Sequence, residues 1–267
     1  MGVLLTSVAI GVTSSMYLAS RIQMQQQQQQ LETTQAARAA VDSMVRDLRL
    51  GGACLPQVGN FTSLSGINNG TTDQITTRTG LTQPNLSCIS TTIPTGSTLT
   101  ASSSTIDVVS SAGFAVGMRA YIASPTGTGD FFDITGVPSG TQLTKSQTLA
   151  QDYPATSGVY AVDERTYYID TWNSPNNGAQ KELMLRIGDQ TPQSLAVGIE
   201  GLNIQYRLNS NCPACDVVDL PNTNAQWSIV EAVLLTVTAR SEQPDAKGNY
   251  YRRTITTTVK PRNLLPP

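Results

Sequence analysis

Residues 19–50 read ASRIQMQQQQQQLETTQAARAAVDSMVRDLRL, and GGACLP follows at 51–56. The stretch contains no Gly and no Pro, the residues that most disfavour a helix interior. Val41, Met44, Val45 and Leu48 recur at the three- and four-residue spacing that lines one helix face. Such a stripe needs a sheet to pack on. On the opposite side Arg38, Asp42 and Arg46 follow at four-residue steps, a solvated face whose ion pairs contribute only a few tenths of a kcal/mol each. Gly51 and Gly52 supply a left-handed stop and Pro56 blocks resumption, so the helix ends near Leu50. Glutamine is a good helix former, and the run at 25–30 abuts helical sequence on both sides, which favours a helical spacer over a disordered tract.

Upstream, residues 2–20 carry no charge. Val3, Leu4, Leu5, Val8, Ile10, Val12, Met16, Tyr17 and Leu18 make the segment apolar, and about 20 such residues cover a bilayer core. Gly2, Gly11 and the serines and threonines at 6, 7 and 13–15 let helices approach closely. The reading is one helix of about 50 residues, about 75 Å long, whose first half (1–20) enters a membrane or a helical bundle and whose second half (21–50) is anchored in a folded head. A cleaved signal peptide is disfavoured, because a basic start and a small-residue cleavage site are missing.

Bulk properties narrow the function. The chain of 267 residues is long enough for one or two domains, has only 13% charged residues and a net charge of −2, and so offers no positive field for nucleic acid. It contains no histidine, which removes histidine bases, His-activated nucleophiles and the commonest metal ligand. No Gly-x-Ser-x-Gly elbow, Ser-x-x-Lys pair or phosphate-binding lysine loop is present. An enzyme, a cofactor and a small-molecule substrate are therefore not expected.

Residues 51–165 read as a loop- and β-rich insertion: 57–105 are rich in Thr, Ser, Gly and Asn, and 105–162 alternate short strands with turns. Residues 166–267 carry the strongest strand patterns, such as Val233, Leu235, Val237 and Ala239 alternating with Leu234, Thr236, Thr238 and Arg240, and read as an antiparallel sheet head. Four cysteines, Cys54, Cys88, Cys212 and Cys215, read as disulfides in an exported chain. A Cys54–Cys88 bridge closes a loop of about 34 residues and is worth about 3 to 4 kcal/mol. Cys212-Pro213-Ala214-Cys215 has thioredoxin-like spacing but acidic neighbours, which favours a loop-bracing disulfide over a redox pair. Asp216 and Asp219, and likewise Asp130 and Asp133, are weak candidates for calcium, far below the six to eight oxygens that ion takes. Arg252, Arg253, Lys260 and Arg262 read as edge-strand charges rather than a DNA patch, since 252 and 253 face opposite sides of a strand.

Three stretches carry a family resemblance: AIGVTSSMYLASRIQMQQQQQQ at 9–30, AARAAVDSMVRDLRLGGAC at 36–54 and RRTITTTVKPRN at 252–263. Together they resemble type IV pilins, closest to PilW-like minor pilins, with the pseudopilins of type II secretion second. The resemblance implies an α+β fold, a long N-terminal helix packed on an antiparallel β-sheet head with a β-rich insertion. It implies a structural minor pilin whose partners are other major and minor pilins through helix–helix packing, preceded by residence in the bacterial inner membrane with a periplasmic head. A membrane-anchored thiol oxidoreductase using Cys212 and Cys215 is the alternative from another class. The family's basic leader and its Phe-Thr-Leu-x-Glu opening are not in this sequence, and the expectation is a start upstream of Met1.

Overall fold

The computed structural model describes residues 2–56, 61–82, 87–174, 178–209, 217–245 and 248–261, and the side chains of all of these except 2–15, 18, 19, 172–174, 178 and 179. Helix α1 (Gly2–Leu50) opens the chain. Five short strands follow: β1 (Leu64–Ile67), β2 (Gln74–Thr79), β3 (Leu81–Thr82), β4 (Ser87–Cys88) and β5 (Ser90–Thr92). Then come β6 (Thr105–Asp107), β7 (Arg119–Ala123), β8 (Gly129–Ser139), β9 (Gln142–Lys145) and the long β10 (Gly158–Ser174). The remainder is β11 (Gly178–Ile187), β12 (Gln193–Val197), β13 (Ile199–Leu208), β14 (Val217–Val218), a five-residue helix α2 (Asn224–Ser228), β15 (Val230–Arg240) and β16 (Arg252–Val259).

Ten of these strands join in one sheet, four in a second and two in a third. The expected α+β, pilin-type layout is overturned: the chain is mostly β, and its large antiparallel sheets, rather than one head sheet on a helix, form its bulk. The physical reason lies in threonine. Segments rich in Thr and Ser look like loops by polarity, but Thr is β-branched and suits a pleated strand. On β2, Thr76, Thr77 and Thr79 are all buried, and Thr76 Oγ1 and Thr166 Oγ1 of β10 hydrogen-bond each other at 2.9 Å. Once the hydroxyls satisfy one another, a polar segment can occupy the middle of a sheet.

Strand β10 organises the larger sheet. Its Gly158–Val162 portion pairs with β7, and β5 pairs with Gly158, Val159 and Tyr160. Further along, Asp163–Tyr167 pair with β2, and the run from Arg165 to Ser174 pairs with β11. The strand thus runs without interruption through residue 165, where the sequence suggests a boundary between insertion and head. The four-stranded sheet has the order β14-β13-β15-β16, all antiparallel. Val233, Leu235, Val237 and Ala239 of β15 are buried while Thr236, Thr238 and Arg240 are only half-buried, as period-two alternation requires. Asp73, itself buried, ties the two sheets together: its carboxylate accepts the backbone N–H of Asn69 at 2.9 Å and of Ile204 at 2.8 Å.

The main core sits between α1 and both sheets. It joins Ala37, Ala40, Met44 and Leu48 to Ile75 and Tyr167 of the larger sheet and to Ile204, Leu235 and Val237 of the smaller one. A second core, around Ile122, Phe132, Leu143 and Tyr153, fills the β6–β9 region. Among the described residues no helix is long and apolar enough to cross a membrane. The span expected over residues 1–20 has no support from the structure.

Candidate functional site: the anchored helix

Two halves of α1 behave differently. From Thr33 to Leu48 one face is sealed against the body: Thr33, Ala37, Ala40, Val41, Met44 and Leu48 are buried, and Val45 packs at the margin. Ala37 and Ala40 are absent from the stripe read in the sequence, because alanine carries little apolar signal. Here its small size brings the helix backbone close to the sheet. Residues 20–28 and 30–32, by contrast, are exposed on every side. Met16 is exposed as well, while the side chains of Val3, Leu4, Leu5, Val8, Ile10, Val12 and Leu18 lie outside the described residues.

The docked half is locked by a buried polar cluster. Asp47, 5% exposed, accepts Tyr167 Oη–H at 2.6 Å and Arg165 Nη1–H at 3.0 Å through the same oxygen, Oδ2. Arg165 also donates to Asp163 Oδ2, from Nη2 at 3.0 Å and Nε at 3.2 Å. Burial disfavours the charge on Arg165, but the hydrogen bond and charge of Asp163, together with Asp47, outweigh it and raise the guanidinium pKa. Burial first, and then the charge and hydrogen bond of Asp47, raise the Tyr167 phenol well above its ordinary value. One sequence signal points to Asp47: it sits three residues after Met44 and one before Leu48, at the flank of the apolar stripe. Nothing in the sequence pairs it with Arg165. The four-residue pairs anticipated on the outer face do not form among the described residues; Arg38 and Asp42 are exposed, and Arg46 contacts Asp47 at 3.4 Å.

Past the helix, Gly52 adopts φ +80° and donates to Arg78 O at 2.8 Å. Cys54 itself has φ +61° and bonds Cys88, with 5.5 Å between their Cα atoms. Gly80 is required here, since a Cβ on it would stand 2.8 Å from Cys54 O and 2.9 Å from Cys54 Cβ. Helix end, β2 and the β3–β4 pair are thereby stapled at one point. A second charged group lies on the far side of β10, where Arg78 Nε donates to Glu164 Oε2 at 2.6 Å and both Arg78 and Arg119 lie over the Phe131 ring. Arg119, Glu164 and the β11–β12 turn border a cleft of about 500 Å³.

The remaining candidates are placed as follows. Asp130 Oδ2 accepts Tyr153 Oη–H at 2.9 Å and Ala150 N–H at 2.7 Å, and Asp133 accepts from Gln147 Nε2. Both carboxylates are therefore engaged within the fold. Asp219 is exposed and accepts from Gln205 Nε2 at 2.9 Å. Cys212, Cys215 and Asp216 lie outside the described residues, as does Arg262. Among the described residues there is no group of three or more His, Cys, Asp or Glu that could hold a metal ion. Arg252 pairs with Glu200 at 2.5 Å and Lys260 with Glu231 at 2.7 Å, while Arg253 is exposed. Lys260 holds the Glu231 carboxyl below its usual range.

No protein-family model matches the chain, and no curated protein matches it at a significant level.

Proposed function

We propose that this chain is a non-catalytic structural subunit of a pilus-type filament. The exposed part of α1 packs among neighbouring helices, and the β body is displayed at the surface. The observation that carries the reading is the contrast along α1: one continuous helix is locked into the body from Thr33 to Leu48 and leaves residues 20–28 and 30–32 uncovered. An isolated helical stretch is marginal in water, so a helix that leaves its own core this way is best stabilised by a partner. The lack of histidine and of nucleophile motifs supports a role in assembly rather than chemistry.

Shearing of surface filaments from native cells expressing the tagged chain tests the proposal. The wild-type chain is expected in the filament fraction. A Ser20→Pro variant, which removes a helix hydrogen bond in the exposed stretch, is expected to drop out of that fraction with its body still folded. Recovery of wild type and variant alike outside the filament fraction overturns the reading.

A further inference from the structure

A groove of about 500 Å³ opens at the seam between the ten-stranded and the four-stranded sheet. Gly198 makes the seam: its N–H donates to Lys181 O of β11 at 2.9 Å, and its carbonyl accepts the N–H of Arg240 of β15 at 2.7 Å. It holds φ +79°, and a Cβ on it would stand 2.7 Å from Arg240 O, so the position requires glycine. Backbone bonding through this one residue sets Lys181 of the larger sheet and Arg240 of the smaller one on the lining of the same groove.

The charges of that lining are unequal. Glu200 is its one acid; Oε1 is taken by Arg252 at 2.5 Å, while Arg240 Nε stands 4.0 Å from Oε2. Lys181 is exposed and has no ion pair among the described residues. Hydroxyls and an amide lie beside the two cations. Thr236 Oγ1 and Thr238 Oγ1 share hydrogen bonds with Thr256 Oγ1 at 3.2 Å and Thr254 Oγ1 at 3.1 Å. Each pair uses one of its two hydroxyl hydrogens and so keeps a donor as well as free lone pairs. Asn203 Nδ2 donates to Gly70 O at 3.1 Å, which leaves Oδ1 as an acceptor. Gly201 adds no side chain to the lining, where a Cβ would crowd Thr238 Cβ at 3.3 Å.

A fitting ligand offers a negative charge to Lys181 and Arg240 and, next to it, several groups that both donate and accept hydrogen bonds. A bare anion leaves the threonine hydroxyls and Asn203 unused, and a neutral sugar leaves Lys181 uncompensated. We propose that this groove binds a saccharide that carries a carboxylate. The carboxylate lies against Lys181 and Arg240 in charge-assisted hydrogen bonds, and the ring hydroxyls exchange hydrogen bonds with Thr236, Thr238 and Asn203. The volume falls within the range of small-molecule sites. The groove belongs to the β body, so the proposal stands whether or not the chain enters a filament.

Saturation-transfer NMR on the full chain tests it with glucuronate, glucose, acetate and the peptide acetyl-dialanine as probes. Glucuronate is expected to bind about tenfold or more tighter than each of the others. Lys181→Gln, a change at an exposed position, is expected to weaken glucuronate about fivefold and to leave glucose unchanged, whereas Thr238→Val is expected to weaken both. Glucose binding as well as glucuronate overturns the role of the two cations. Acetate or acetyl-dialanine binding as well as glucuronate overturns the saccharide. Glucuronate binding that neither variant alters overturns the groove as its site, and no transfer to glucuronate overturns the proposal as a whole.

Discussion

Asp47 and Tyr167 lie 120 residues apart in the chain and 2.6 Å apart in the fold, the carboxylate oxygen of the helix accepting the phenol hydrogen of β10. Because the same oxygen also takes Arg165, this one contact ties α1 to the strand that organises the larger sheet. Removing the carboxylate leaves the buried Arg165 guanidinium with Asp163 as its one acidic partner and the Tyr167 phenol with only the Ser43 hydroxyl at 3.3 Å. Asp47→Ala is expected to destabilise the fold by about 3 to 5 kcal/mol in urea unfolding. Tyr167→Phe, which leaves the ion pair intact, is expected to cost about 1 to 2 kcal/mol. Equal costs for the two would show that the pair with Arg165 contributes little.

Threonines 76 and 166 provide a second, sharper comparison, because each hydroxyl is the other's hydrogen-bond partner inside the sheet. Thr76→Val alone strands the Thr166 hydroxyl and is expected to cost about 1 to 3 kcal/mol. Thr76→Val with Thr166→Val removes both partners and is expected to be nearly neutral. A double-mutant cycle read by chemical denaturation measures the coupling, and simple additivity of the two single changes would refute the pairing.

The Cys54–Cys88 bridge closes 34 residues of chain that carry β1 to β4. Replacing both cysteines by serine is expected to lower stability by about 3 to 4 kcal/mol, chiefly by freeing the unfolded chain. The midpoint of guanidinium unfolding should fall and the dependence on denaturant should steepen, because the freed unfolded chain exposes more surface.

Alkaline pH should unfold the protein through its buried phenols. Burial, with the charge of Asp130 second, pushes Tyr121 up to about 12 from the ordinary 10.0, and burial also raises Tyr153, Tyr167 and Tyr206. The unfolded chain loses these protons first, so their contribution to stability is complete below pH 10. It is lost as pH rises through the folded-state values, for Tyr121 between 10 and about 12. The share of tyrosinate absorbance that belongs to these four buried phenols should therefore appear together with the loss of the β-sheet circular dichroism signal. Tyrosinate absorbance reaching that of all nine tyrosines with the sheet signal unchanged would mean that the buried phenols titrate in the folded state.

Much of the local structure is legible without coordinates. Val41, Met44 and Leu48 announce a docked helix face by spacing alone, Gly51 and Gly52 announce its end, and the alternation along 233–240 announces a half-buried strand. These features depend on neighbours a few residues apart, whose geometry the backbone period dictates. The overall layout does not follow in the same way. A resemblance at the two ends of the chain points to an α+β pilin layout, and the ten-stranded sheet overturns it, because the Thr-rich segment between them shows no hydrophobic alternation to announce its strands.

What the amino-acid sequence determined by itself was therefore the period: where a helix runs and stops, which strands alternate, and which side chains want burial. Tertiary structure alone decided the partners. Arg165 meets Asp47, Thr166 meets Thr76 and Asp73 meets Ile204 across 118, 90 and 131 residues of chain. The physical reason is that a buried polar group reveals its worth only once its counterpart is in place, and in a linear chain that counterpart has no marked position.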